Sequence, residues 1–397
     1  DLVHFGSSRE DQTCSAQLGT QVAAMGVFGA CTRCCFAVSL VVALLVGWIA
    51  SQEHPVAVIF QTLFRIQGLG KPQTDEVPAD LKPAPRPEGE LFLSLPGGDQ
   101  MPANGLGMCC RPTAYDDVSV YRTVLWYLLQ GGRHVDTAAL YLNHAAVGRG
   151  IRDAVARGVP RGEIFLTTKV WPDSFGYNST LEKVPRMLDE LGVDYIDLVL
   201  MHAPRKLHPR LLWNMKFGGE DEFTTHECKN QLRCREDTWR ALSAFRDQGK
   251  IRNLGVSNFN IQHMKEIQAL GLAPIAAHQL QFHPWAPQWL RDIISYCHQH
   301  RIAVTGYFSL GGHDNKDKAM DMEVLSDIAK AHGKRPAQIL LRWSLQKNIS
   351  IIPGTGKPTH MKENLGTYGF ELSGDDMARI ETMSDHPISK DFFFFDF

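Results

Sequence analysis

The chain has 397 residues, 44% of them hydrophobic and 21% charged, with a formal net charge of −2. That balance belongs to a globular protein with ample core and excludes a disordered or fibrous chain. Near-neutral charge also argues against a general nucleic-acid surface, so no nucleic-acid partner is expected.

The N-terminal part is set apart by its composition. Residues 34–50, "CCFAVSLVVALLVGWIA", form an uncharged apolar run, preceded by Arg33 and followed by Glu53 and His54. A membrane-crossing helix needs about 20 apolar residues, which puts this run at the short edge of the range. Residues 1–50 are expected to be a targeting or membrane-anchor segment: a signal-peptide core, a single-span anchor or an organelle presequence. A membrane-associated, secretory or organelle-targeted protein follows, attached through residues 34–50, with a cytoplasmic location as the alternative. Cys31, Cys34 and Cys35 flank the run in a setting that suits reversible acylation. Residues 51–90, which include "KPQTDEVPADLKPAPRPEGE", are proline-rich without apolar periodicity and read as a linker. The folded domain is expected over 91–397. No Cys/His spacing matches a zinc site, so no metal is expected. Cys228 and Cys234 are either a disulfide loop or free thiols.

From Leu91 onward, strand-like and helix-like segments alternate. "ELFLSLPGGDQMPANGLGM" predicts a hairpin around Pro96-Gly97-Gly98 and then a first buried strand. "DDVSVYRTVLWYLLQGG" predicts a helix that ends at its glycines. Next come the strand "HVDTA", the helix "HAAVGRGIRDAVARG", the strand "IFLTTKV", the helix "STLEKVPRMLDELG" and the strand "IDLVLMHA". A polar insertion over about 204–234 precedes the helix "EDTWRALSAFRDQGK". The strands "IRNLGVSN", "IAAHQLQ", "IAVTGYF" and "ISIIPGT" follow, with helices between them and one more beginning near Thr359. Eight short apolar strands, nearly all followed by a helix, predict an α/β protein with a parallel sheet. Eight units favour a closed (β/α)8 TIM barrel, with the N-terminal β-hairpin as a cap. A doubly wound sheet would need G-x-G-x-x-G after its first strand, and "GLGMCC" lacks the third glycine.

"PGTGK", residues 353–357, looks at first like a phosphate-binding loop of an ATPase. The pattern G-x-x-x-x-G-K-[ST] would need glycine at Ile351 and a hydroxyl at Pro358, and that reading is excluded.

Catalytic groups of such barrels lie at the C-terminal ends of the strands. There the sequence places Asp136, Tyr141, Lys169 and His202. Their chemistry suits carbonyl reduction, in which a developing oxyanion needs a proton. Tyr141 can supply it, Lys169 can tune the phenol, and Asp136 can keep the buried ammonium paired. His202 can hydrogen-bond the carbonyl oxygen. Singly, each has an ordinary explanation: a helix cap, an interface aromatic, a solvated strand end, a loop histidine. Four at successive strand ends favour the functional reading.

"GGRHVDTAALYLNHAAVGRGI" resembles a signature of the aldo-keto reductases, G-x-R-H-x-D-T-A-x-x-Y-x-N. "LTTKVW", "DLVLMHAP", "GKIRNLGVSNF", "HQLQFHPW" and "VTGYFSLGG" are similar to its later blocks, in the same order, from about Leu91 to Asp385. The resemblance implies a reductase of aldehydes or ketones with Asp136, Tyr141, Lys169 and His202 as its tetrad and Tyr141 as general acid. It implies NADP(H), possibly NAD(H), as cofactor. Ser257, Asn258 and Gln279 would hold the carboxamide, and Tyr307 would stack on the nicotinamide. Leu310 and Gly311 would follow the pyrophosphate, with Glu363 and Asn364 at the adenine. Trp171 would line the substrate pocket. A monomer or dimer is expected. A non-catalytic, cofactor-binding barrel serving a membrane protein is the alternative.

Two departures stand out. Phe308 replaces a serine of the seventh-strand block. In the last turn the family pattern P-K-S-x-x-P-x-R places lysine and arginine on the 2′-phosphate of NADPH, where this chain has Gly354 and His360, with Thr355 for the serine. A neutral histidine does not match a guanidinium fork, so a weakened NADPH preference is expected, with Lys357 as a partial substitute. Leu211, Leu212, Trp213 and Phe217 of the insertion, and Phe392–Phe395 of the tail, are offered as apolar pocket walls or lid.

Overall fold

Strands buried on both faces read as continuous apolar runs rather than alternating ones, and six- and seven-residue runs here are buried at every position or all but one. A computed structural model of the chain describes residues 74–205, 230–312 and 316–385. The apolar run 34–50, the pocket-wall residues of the insertion and the phenylalanine tail lie outside the described residues. Among those described, no helix is long and apolar enough to cross a membrane.

The chain opens with an antiparallel hairpin, β1 (Phe92–Ser94) and β2 (Gln100–Pro102). Eight parallel strands follow: β3 (Leu106–Gly107), β4 (His134–Asp136), β5 (Phe165–Val170), β6 (Ile196–Met201), β7 (Ile251–Ser257), β8 (Ile275–Gln281), β9 (Ala303–Tyr307) and β10 (Ile349–Ile351). They pair in sequence order. The sheet closes on itself where Gly105 N donates to Ile351 O at 2.7 Å and Ile351 N to Ala103 O at 2.8 Å. The architecture is the expected (β/α)8 barrel. The hairpin contributes Leu93, Leu95, Met101 and Ala103 to a core shared with Phe165, Ala276 and Ala303, at the starts of β5, β8 and β9. It therefore plugs the N-terminal end, opposite the end that carries the candidate tetrad.

The outer helices are α1 (Asp117–Leu129), α2 (His144–Ala156), α3 (Tyr177–Leu191), α4 (Gln231–Asp247), α5 (Ile261–Gln268), α6 (Gln288–Gln299), α7 (Lys316–Met320), α8 (Glu323–His332), α9 (Pro336–Gln346), α10 (Pro358–Leu365) and α11 (Gly374–Glu381). Local signals set their ends. Asp116 caps α1 by accepting from Ser119 N at 2.9 Å, a typical use of an N-cap carboxylate. Gly192 and Gly333 end α3 and α8 in the left-handed conformation that glycine adopts without a Cβ penalty. The short helix α7 was not expected from the sequence.

The proline-rich stretch read as linker is docked against the barrel from Thr74 on. Ala84 N donates to Leu129 O at 2.7 Å. Trp126 Nε1 donates to Asp75 O, Arg122 to Thr74 O and Arg157 to Pro78 O. Val77 and Leu81 pack on the main core. Proline removes donors, so the segment forms no helix or strand, but the barrel's own side chains satisfy its carbonyls.

Candidate active site

The strand register brings the expected tetrad to one end of the barrel. Asp136 ends β4, Lys169 is the next-to-last residue of β5, and His202 directly follows β6. Tyr141 ends a short 3-10 turn, Ala139–Tyr141, beyond β4. Asn143 holds that turn. It accepts from Thr137 Oγ1 at 2.7 Å and donates to Met108 O at 2.9 Å and Ala114 O at 3.2 Å, tying it to the loop after β3.

Lys169 Nζ is the hub. It donates to Asp136 Oδ1 at 2.6 Å, to Thr137 O at 2.9 Å and to the Tyr141 hydroxyl at 3.4 Å. Asp136 accepts a second bond, on Oδ2, from Gln279 Nε2 at 2.7 Å. The His202 ring meets Tyr141 edge-on at 5.6 Å and Trp171 at 5.1 Å. Its Nδ1 is buried without a hydrogen-bond partner among the described residues.

Burial governs the titration of these groups. Desolvation, followed by repulsion from Asp136, holds the Tyr141 phenol well above its ordinary value. The sequence-based expectation that Lys169 draws this phenol toward neutrality is not met. The ammonium lies 2.6 Å from the Asp136 carboxylate and 3.4 Å from the phenol, and burial dominates. Desolvation lowers Lys169, partly offset by Asp136. Desolvation, then Lys169, pushes His202 well below the usual histidine range, so its ring is neutral at neutral pH.

The other expected positions gather around the same end with partners of their own. Ser257 closes β7 and accepts from Asn258 Nδ2 at 3.1 Å. Asn258 has a positive φ of 61°; its Nδ2 also donates to His202 O at 2.9 Å, and its Oδ1 accepts from the Tyr307 hydroxyl at 2.8 Å. Gln279 donates through Nε2 to Asp136 Oδ2. Tyr307 ends β9. Leu310 packs on the core, and Gly311 has φ 92° in the turn that follows. Thr355 is buried and its Oγ1 accepts from Lys357 N at 3.1 Å. His360, Glu363 and Asn364 ride on α10. Glu363 pairs with Arg335 at 3.2 Å, and the Asn364 carbonyl accepts from Asn104 Nδ2 at 2.7 Å.

Arg111 was missed at the sequence level. Its guanidinium, from the loop after β3, lies directly over Gly354. Nη1 donates to Gly107 O at 2.5 Å and Cys109 O at 3.3 Å, and Nε to Thr113 Oγ1 at 2.9 Å. Nothing local signals this, since residues 111 and 354 meet only when the barrel closes. Also unforeseen is the disulfide between adjacent Cys109 and Cys110 in the same loop. A cavity of about 270 Å³ opens at the opposite end, beneath the hairpin. Among its charged walls, Arg252 pairs with Asp197 and Arg86 with Glu163, and Asp99 accepts from Asn253 Nδ2.

Residues 103–385 match the model of the aldo/keto reductase family. The chain is 34% identical over 294 residues to a 9,11-endoperoxide prostaglandin H2 reductase of Trypanosoma cruzi, spanning 74% of this chain and 91% of that one. It is 33% identical over 292 residues to a glyoxal reductase of Bacillus subtilis, with 74% and 92% covered. Among solved structures, a Bombyx mori aldo-keto reductase in complex with NADP superposes with a TM-score of 0.64 at 26% identity, over 75% of this chain and 94% of that one. The chain is an oxidoreductase that belongs to the aldo/keto reductase family.

Proposed function

We propose that the protein reduces an aldehyde or ketone to the alcohol with NAD(P)H, Tyr141 acting as the general acid. The single observation that carries this is the buried Lys169 ammonium held between the Asp136 carboxylate and the Tyr141 hydroxyl, beside a neutral His202. The relatives named above are reductases, and none favours the non-catalytic alternative.

NADP(H) or NAD(H) is the cofactor of this family. The residues here fit such a group: Tyr307 presents a partly exposed ring at a strand end, Ser257 Oγ accepts from Asn258 Nδ2, and Arg111 carries a cation that no carboxylate pairs with among the described residues. Ser257, Asn258, Tyr307, Leu310, Gly311, Thr355, His360, Glu363 and Asn364 would hold it, with Gln279 acting through Asp136. When bound, the dinucleotide supplies a hydride to the carbonyl carbon.

The chain's own residues do the rest. As charge develops on the carbonyl oxygen, Tyr141 transfers its phenolic proton there. Burial keeps that proton in place until it is needed, so the acid is loaded at neutral pH. Lys169 then stabilises the phenolate left behind, and Asp136 keeps the ammonium charged in a buried setting. With Nδ1 enclosed, His202 Nε2 is left to donate to the carbonyl oxygen. Trp171 packs against the His202 ring and walls the substrate side.

The test is the full chain with NADPH or NADH and a panel of aldehydes and ketones. Alcohol should form one-for-one with dinucleotide oxidised. Tight dinucleotide binding with no carbonyl turned over would instead support the non-catalytic barrel.

A further inference from the structure

The last turn of the barrel has lost its side-chain cation at position 354, and the structure shows what fills the space. A Cβ on Gly354 would lie 2.5 Å from Arg111 Nη1 and 3.2 Å from Gly107 O. Glycine at 354 is thus the condition for Arg111 to lie where it does. The neighbouring Gly356 is packed the same way, with Thr113 and Thr74 against it, so the turn is moulded around the loop after β3.

A guanidinium has five N–H donors. Those on Nε and Nη1 go to one hydroxyl and two carbonyls, whereas Nη2 reaches only the Met108 thioether at 3.5 Å. No carboxylate pairs with Arg111 among the described residues. Burial draws it down to about 10, which still leaves it fully charged at neutral pH. A partly buried cation is normally paired, and one held in place by carbonyls, with a free edge, is the donor set of an anion site. Thr113 Oγ1 accepts from Nε, and the turn that carries Gly354 also carries the buried Thr355 hydroxyl and the exposed Lys357. Planar, forked recognition of this kind matches a phosphate monoester.

We infer that Arg111, reaching across from the loop after β3, binds the 2′-phosphate of NADP(H) and replaces the cation that residue 354 does not carry. This rests on the proposed function, and it reverses the sequence-based expectation of a weakened NADPH preference. It also gives Gly354 a positive role, since any side chain there would displace the guanidinium.

Titration calorimetry on the full chain tests this with four probes: NADPH, NADH, adenosine 2′,5′-bisphosphate and adenosine 5′-monophosphate. R111Q should weaken NADPH and the bisphosphate by at least about 10-fold, ~1.4 kcal/mol, and move NADH and the monophosphate less than about twofold. R111K should retain part of the NADPH affinity. G354A, which crowds Nη1 without touching the charge, should erode the same discrimination and serves if R111Q does not fold. R111A/G354K, which returns the cation to the turn, should recover NADPH affinity relative to R111A. Equal weakening of NADPH and NADH in R111Q, or none in either, would overturn the assignment while leaving the dinucleotide reading intact. Wild type that binds neither dinucleotide would overturn both.

Discussion

Lys169 Nζ lies 2.6 Å from Asp136 Oδ1, and the two side chains are 0% and 2% exposed. This pair is the electrostatic centre of the candidate site. Its ammonium donates to the Tyr141 hydroxyl at 3.4 Å, and its carboxylate accepts from Gln279 Nε2 at 2.7 Å.

Breaking the pair from one side should be costly. D136N leaves the Lys169 charge buried without a counter-ion, and breaking buried pairs in this way costs about 3–5 kcal/mol. Chemical denaturation at neutral pH should show a loss of that order for D136N. D136N/K169M should be less destabilised than the sum of the two single variants, because it removes the stranded charge as well as the pair. Strict additivity would mean that the two groups do not depend on each other.

Two buried histidines give stability a direction with pH. Burial lowers His278 to about 3, and it lowers His202 as well. An unfolded histidine titrates near ~6.5. Below that value the unfolded chain binds protons that the folded chain does not, so stability rises with pH there. The stabilisation is fully present above about pH 6.5 and falls as pH drops toward 3. Each such group adds up to about 1.4 kcal/mol per pH unit to the slope. His278 accepts from Phe259 N at 3.1 Å, so H278N, which retains an acceptor, should flatten the urea-denaturation midpoint between pH 6 and 4. An unchanged slope would assign the acid sensitivity elsewhere.

The docked segment before β1 should contribute to the stability of the barrel. Starting the chain at Leu91 removes Val77 and Leu81 from the core and frees the Leu129 carbonyl and an Arg133 donor that now bond Ala84. Burial of one such apolar side chain is worth about 1.5–3 kcal/mol when complete. A chain beginning at Thr74 should therefore melt several degrees above one beginning at Leu91. Equal melting temperatures would show the segment to be a passive tether.

The barrel and the tetrad were legible because both are written locally. Each strand is a short apolar run closed by a recognisable helix, and Asp136, Lys169 and His202 sit at or beside strand ends whose position the register fixes. What stayed hidden depends on chain closure. Arg111 lies far from Gly354 in sequence, so the guanidinium that rests on that turn could not be read from the turn's own residues. The commitment of Gln279 to Asp136 is likewise a contact between β8 and β4 that no spacing reveals. The titration of Tyr141 is hidden for a related reason: the sequence shows a lysine nearby, but not the burial that the closed barrel imposes on both.

Tyr141→Phe measures the central claim most directly. The ring keeps its edge contact with His202 and loses only the hydroxyl that Lys169 touches. With NADPH as donor and the best aldehyde or ketone of the panel, carbonyl reduction should fall by about 100- to 10,000-fold, while NADPH affinity and melting temperature stay near wild type. Reduction that survives the substitution unchanged would contradict Tyr141 as the proton donor and, with it, the proposed chemistry of the site.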